Sequence, residues 1–181
     1  IEWTFKKKNR NWFGYQFGYL GDKVLMESDK LNIEYTWTDH RIYRHRFEIN
    51  NSYSHGNPLG FWAGPHVEDF LFQYKIWLKK INIILNYNHT KRGQLNNQMI
   101  EDQYKNIFFH RFSGEYGYEK RNSVVFLVEK NHLKNRMVVQ YGLEYIDWHN
   151  AGFNPYDFVI REPRDIIKWS FLFNLYYNFN L

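Results

Sequence analysis

The last stretch of the chain sets its character. From Ile167 every second residue is apolar, through Trp169, Phe171, Phe173, Leu175, Tyr177, Phe179 and Leu181. Between them stand Lys168, Ser170, Leu172, Asn174, Tyr176, Asn178 and Asn180, mostly polar. Side chains of an extended strand alternate between its two faces, so this spacing predicts a strand with one apolar and one largely hydrated face. A helix would scatter the asparagines around its circumference. The same alternation places apolar residues at Phe13, Tyr15, Phe17 and Tyr19; at Leu31, Ile33, Tyr35 and Trp37; and at Phe70, Phe72, Tyr74, Ile76 and Leu78. It returns at Ile81, Ile83, Leu85 and Tyr87 and at Met137, Val139, Tyr141, Leu143 and Tyr145, with shorter versions at Ile1–Phe5, Phe112–Tyr118 and Val124–Val128. The pattern predicts an all-β protein of about nine or ten strands with no amphipathic helix.

Two architectures use such strands. A soluble sandwich turns its apolar faces onto a shared core, and a membrane barrel turns them to lipid around a polar lumen. Strands of about nine residues or more exceed the usual soluble length of about 5–6 and match the length that crosses a bilayer. Rings near strand ends, at Trp37, Tyr145, Trp148, Trp169 and Tyr177, stand where interfacial girdles belong. The expected fold is therefore an antiparallel transmembrane β-barrel, one region over residues 1–181, with a soluble β-sandwich as the alternative. Tight connections are expected at Lys79-Lys80, Lys120-Arg121-Asn122 and Asn131–Asn135, and long ones over Asp39–Val67, Thr90–Ile107 and His149–Arg164. Counted back from the C-terminus, these put Thr90–Ile107 on the side that should carry short turns, unless a further strand runs near Met99–Asn106. Barrels close with even strand numbers. The uneven count and the start within a strand at Ile1 lead to the expectation of the C-terminal portion of a larger barrel, incomplete at its N-terminus; a closed eight- or ten-stranded barrel is the alternative.

Composition narrows the chemistry. The 181 residues carry 24 Lys+Arg against 19 Asp+Glu, a formal charge of +5. Cysteine is absent, which excludes disulfides, thiolate metal sites and a cysteine nucleophile. No run of about 18 apolar residues offers a transmembrane helix. Aromatic residues make up 21%, and asparagine contributes 20 residues, while mean hydropathy is −0.68. Rings interleaved with amides fit a sheet whose faces meet unlike surroundings.

The segment Tyr53-Ser54-His55-Gly56-Asn57-Pro58-Leu59-Gly60-Phe61-Trp62-Ala63-Gly64-Pro65-His66-Val67-Glu68-Asp69 resembles a Tyr-x-His-Gly-x-Pro-Leu-Gly…Gly-Pro-x-x-x-Asp pattern of outer-membrane barrels of the Wzi-type capsule assembly family. The final Tyr177-Asn178-Phe179-Asn180-Leu181 is similar to the terminal strand that barrel assembly machinery reads, with Leu where Phe is usual. The resemblance implies a non-enzymatic protein of the bacterial outer membrane that binds or anchors exported capsular or extracellular polysaccharide. Its implied partners are outer-membrane lipid and lipopolysaccharide, that polysaccharide, and the assembly machinery. It carries no catalytic residues. Within the motif, His55, Pro58, Gly60, Gly64, Pro65 and Asp69 are the candidate loop residues; glycine and proline there also serve ordinary turns, and Asp69 can serve loop backbone.

The candidate polysaccharide contacts are Arg41, Tyr43, Arg44, His45 and Arg46, because arginine forks grip carboxylate or phosphate and tyrosine faces stack on sugar rings. A solvated, lumen-facing strand explains the same residues. Asn86, Asn88, Gln140, Glu144, Asn174 and Asn178 would line an open lumen, the alternative of a porin-like channel. His66, Glu68 and Asp69 lack a metal-binding spacing, and no cofactor is expected. His110 and Ser113 are a poor pair for a barrel lipid hydrolase, since three residues apart on a strand they face opposite ways. Neither a hydrolase elbow nor a phosphate loop occurs. The modest charge and lack of a recognition module argue against nucleic acid.

Overall fold

The alternating segments form strands. The computed structural model describes residues 13–39, 42, 53–54, 57–58, 61–95, 111–112, 117–132, 137–155 and 164–177. They contain β1 (Gly14–Asp22), β2 (Asp29–Thr38), β3 (Tyr53–Ser54), β4 (Asn57–Pro58), β5 (Val67–Leu78), β6 (Ile81–Gly93), β7 (Tyr118–His132), β8 (Met137–His149) and β9 (Ile166–Tyr177). Seven of these make one antiparallel sheet in the order β1-β2-β5-β6-β7-β8-β9. β3 and β4 form a two-residue ladder in the connection from β2 to β5, pairing Tyr53 with Pro58 and Ser54 with Asn57. No helix occurs among the described residues. β1 and β9 do not pair, so the sheet is open rather than closed into a barrel.

One expected turn is absent. Lys120-Arg121-Asn122 lies inside β7, a single strand of 15 residues that contains Val124–Val128 whole and only Tyr118 of the strand expected at Phe112–Tyr118; Phe112 and Gly117 are not in a strand. Charged and amide residues mimic a turn in sequence, but here they continue the ladder, with Arg121 opposite Thr90 on one side and Trp148 on the other. Removing that turn restores the order of the connections. The antiparallel pairing puts the β2–β5, β6–β7 and β8–β9 connections at one end of the sheet and the β1–β2, β5–β6 and β7–β8 connections at the other. No strand near Met99–Asn106 is needed for this; those residues, like Ile1–Phe5, lie outside the described ones.

Register keeps every ring run on one side. One row crosses the whole sheet as Tyr19, Ile33, Phe72, Tyr87, Val124, Tyr145 and Trp169. On β1 the apolar run extends from this row toward the long-connection end, through Phe17, Tyr15 and Phe13. On β9 it extends mainly the other way, through Phe171, Phe173, Leu175 and Tyr177. The apolar band therefore crosses the strands at a slant.

Shielding is inverted relative to a soluble fold. On the apolar face Phe17, Ile167, Trp169 and Phe171 are 67–71% exposed. On the opposite face Thr36, Thr38, Asp69, Asn82, Thr90 and Glu119 are each 9% exposed or less. No second sheet covers the apolar face among the described residues. The buried apolar side chains are few, and three of them (Ala63, Val67 and Leu95) gather at the long-connection end. There the backbone N–H of Leu95 donates to the carbonyl of Pro155 at 3.0 Å, tying two long connections together.

At the other end Asp29 organises the β1–β2 turn. Its carboxylate accepts the backbone N–H groups of Val24, Leu25 and Met26 at 2.7–2.9 Å and the Tyr74 hydroxyl at 2.8 Å. On the polar face Gly142 permits close strand contact. A Cβ there would run into the Phe126 carbonyl and press on Leu127 at 2.7 Å, whereas one at Gly18 would meet Glu34 at an ordinary 3.5 Å. Gly142→Ala is expected to destabilise the sheet by about 1–3 kcal/mol, as overpacking does, and Gly18→Ala to be near neutral. Chemical unfolding midpoints of the two variants check this, and equal midpoints would contradict the packing described.

Candidate binding face

The polar face is laced by side chains that the register sets opposite or diagonal to one another. The Gln16 amide donates to Glu34 at 2.8 Å, and the Asn32 amide to Glu34 at 2.9 Å and to Gln73 at 3.3 Å. Asn82 donates to Glu129 at 2.6 Å, and Asn174 to Gln140 at 2.9 Å. Asp69 accepts from the Thr90 hydroxyl and from the Asn88 amide at 3.2 Å. All of these except Asn32–Glu34 join neighbouring strands and support their pairing, and at the part-buried positions of the central strands an unmatched group costs about 1–3 kcal/mol.

Toward the long connections the same face becomes cationic and aromatic. Arg92 on β6 faces Glu119 on β7, with Nη2 3.0 Å from Oε1, and also donates to the Phe153 carbonyl at 3.1 Å. One row along, Arg121 and Trp148 are direct cross-strand partners, the guanidinium carbon 5.4 Å from the ring centroid. Nε of Arg92, Nε of Arg121 and Nε1 of Trp148 are shielded from solvent and have no hydrogen-bond acceptor among the described residues. Donors left this way are uncommon in folded proteins and call for a partner.

A second cluster clamps the long connections to the margin of the apolar face. Arg111 donates to the Thr38 carbonyl, lies 3.4 Å from Glu68 Oε1, and stacks its guanidinium 4.3 Å over Trp37 and 5.2 Å over Phe112. Phe112 in turn stacks on His66 at 5.1 Å. The chain enters β5 through Gly64 (φ 82°) and His66 (φ 57°), a sharp left-handed bend. The Thr38 hydroxyl donates to the Gly64 carbonyl and accepts the Val67 N–H, both at 3.0 Å. His66 is 1% exposed, and its Nδ1–H donates to the Gln94 carbonyl at 2.8 Å. Only glycine fits at position 93, because a Cβ there would enter the His66 ring. Burial foremost, helped by the Arg111 charge, pulls the His66 pKa down to about 4.

The expected site residues fare unequally. Arg41, Tyr43, Arg44, His45 and Arg46 lie outside the described residues, as do His55 and Gly60. Pro58 belongs to β4, and Gly64 and Pro65 are buried at the entry to β5. Asp69 bonds side chains of β6 rather than loop backbone. Glu68 and Asp69 fall on opposite faces of β5. Asn86, Asn88, Gln140, Glu144 and Asn174 share the polar face as expected, while Asn178, His110 and Ser113 are outside the described residues. Trp148 corrects the girdle assignment, since it stands on the polar face, away from Trp37, Tyr145, Trp169 and Tyr177. The Arg121–Trp148 pair escaped the sequence because Arg121 read as a turn residue; continuing the alternation of Val124–Val128 backwards was the available signal.

These features define the class: an antiparallel sheet with an apolar face exposed and a polar, hydrogen-bonded face sheltered. No protein-family model matches the chain, and no curated protein or solved structure matches it.

His66 gives this cluster a pH signature. Its folded pKa of about 4 lies below the unfolded value of 6.5, so the unfolded chain binds the proton first as pH falls. Stability is expected to decline by about 3 kcal/mol between pH 6.5 and 4, with no further His66 contribution outside that window. His66→Gln, neutral at every pH and able to donate to the Gln94 carbonyl, should remove that part of the slope in unfolding midpoints. A slope unchanged in the variant would contradict the assignment.

Proposed function

We propose that this sheet is the wall of an outer-membrane β-barrel that binds exported capsular or extracellular polysaccharide on its polar face. The observation that carries the membrane reading is the inversion of shielding: rings outward and exposed, amides and carboxylates inward and bonded. In water each large apolar side chain left uncovered forgoes about 1.5–3 kcal/mol of burial energy, which lipid supplies. The band has the right height. From Ile167 to Tyr177 there are ten steps along β9, about 34 Å at ~3.4 Å per residue. A strand tilt of about 45° reduces that to about 24 Å, against an expected band of about 25 Å. Its slant across the rows is what tilted strands produce. Polar residues bound the band, with Lys91, Lys120 and His149 at one margin and Lys130 and His132 at the other. Long connections at one end and short turns at the other, with β9 ending on the short-turn side, match the loop asymmetry of such barrels.

The saccharide assignment draws on the resemblance of Tyr53–Asp69 and on the amide-rich polar face, whose donors and acceptors suit hydroxyl groups. A porin-like channel uses the same lining, from Asn86 through Asn174, and differs in conducting ions.

Fractionation of cells expressing the protein tests the membrane reading. It is expected in the outer-membrane pellet after a carbonate wash, with a gel mobility that shifts on boiling. In lipid vesicles Phe171→Arg should destabilise by about 2–4 kcal/mol while Ser170→Arg, on the polar face, costs little. Recovery in the soluble fraction would replace the barrel by a sandwich. Ion conductance in planar bilayers without polysaccharide retention at the cell surface would replace the binder by a channel.

A further inference from the structure

We propose that Arg121 and Trp148 form a subsite for a carboxylate-bearing, uronic sugar unit. The inference rests on the polysaccharide reading and narrows its ligand class. The two side chains are direct cross-strand partners on the polar face at the long-connection end, with the guanidinium stacked against the indole. Apart from that stacking, Arg121 makes no hydrogen bond or ion pair among the described residues. Its Nε and the Trp148 Nε1 are shielded and lack an acceptor among the described residues, which leaves the two Nη groups to meet a ligand.

The nearby carboxylates are held by other groups or stand off. Glu119, two residues along β7, pairs with Arg92 through Oε1 at 3.0 Å and makes no ion pair with Arg121, its Oε2 being shielded without a partner among the described residues, and Asp69 accepts from Thr90 and Asn88. Asp69 is also two strands from Arg121, about 10 Å at the interstrand spacing. Glu144 shares the face four residues along β8 from Trp148, about 13 Å away. Lys168, opposite Ile146 on β9, adds a cation on that face with no ion pair among the described residues. Arg121 therefore keeps a cationic charge that no carboxylate pairs among the described residues.

The chemistry selects its form. A planar guanidinium offers parallel N–H groups that match the two oxygens of a carboxylate. The indole supplies a flat apolar face for the C–H side of a sugar ring. A uronic unit presents both surfaces at once, and a neutral hexose presents only the second.

The test uses the purified full chain in detergent, titrated calorimetrically with oligogalacturonate, oligomannuronate and the carboxyl-reduced counterpart of each. The wild type is expected to bind at least one uronate about tenfold or more tighter than its reduced form. Arg121→Gln should lose about 10–100-fold for the uronate, the worth of a charged hydrogen bond, and little for the reduced form. Arg121→Lys should recover only part, and Trp148→Phe should weaken both probes while keeping the preference. Unchanged unfolding midpoints exclude a folding defect. Equal binding of acidic and reduced probes, or a preference that survives Arg121→Gln, overturns the acidic subsite and leaves the polysaccharide reading standing. Binding of no probe overturns the subsite as stated, and retention of extracted polysaccharide by the same protein then decides the broader reading separately.

Discussion

Everything in this molecule depends on register. A strand has a period of two, so a slip of one residue in any ladder would carry all of that strand's rings to the polar side and its amides to the apolar side. Across seven strands no such slip occurs, and the row from Tyr19 to Trp169 remains apolar throughout. The apolar side chains cannot enforce this by packing into a common core, because most of them are not buried. The polar face does so instead, through paired side chains such as Asn82 with Glu129 and Asn32 with Gln73. The usual division of labour is reversed: hydrogen bonds between sheltered side chains specify the pairing, and the apolar face awaits its surroundings.

That reversal explains where the conventional core lies. Ala63, Val67 and Leu95 are buried where long connections fold onto the sheet end, together with the bend at His66 and the clamp of Arg111. The connections need such a core because the sheet gives them no apolar surface of its own to lie on at its polar end. Arg111 shows the solution: one side chain joins the β6–β7 connection to the Thr38 carbonyl, the Glu68 carboxylate and the Trp37 ring. Its charge helps keep His66 neutral, so the bend and the clamp form one electrostatic unit.

Much of the sheet was legible in the sequence. Alternation located β1, β2, β5, β6, β8 and β9, since rings every second residue leave no other regular structure open. At β7 it found only Val124–Val128 and missed the strand's first turn-like residues, since Lys120, Arg121 and Asn122 imitate a turn. Composition could not separate a hydrated loop from the hydrated margin of a long strand; only pairing with Thr90 and Trp148 does. The same failure hid the arginine on the polar face. Residue chemistry had pointed to the arginines of 41–46, where a dense cluster is visible in one dimension. Arg121 and Trp148 are 27 positions apart and become a pair only through the hairpin register. The clamp was hidden for a related reason, since Arg111, Glu68 and Trp37 come from three separate segments.

The open edges bear on how a wall of this kind is completed. β1 and β9 each present a ladder of backbone donors and acceptors without a partner strand among the described residues. In lipid such an edge is far more costly than in water, because no solvent replaces the missing hydrogen bonds. A sheet with this exposed apolar face is therefore consistent with a bilayer only when both edges are paired, by further strands or by closure on itself. On the proposed reading the slant of the apolar band corresponds to the stagger of barrel strands, which must tilt and shift register as they go round. With the apolar face toward lipid, as proposed, the polar faces of β6, β7 and β8, with Arg92, Arg121 and Trp148, would lie inside at the long-connection end. On the proposed reading a surface polysaccharide meets these residues first, where a cation and a ring stand side by side on adjacent strands.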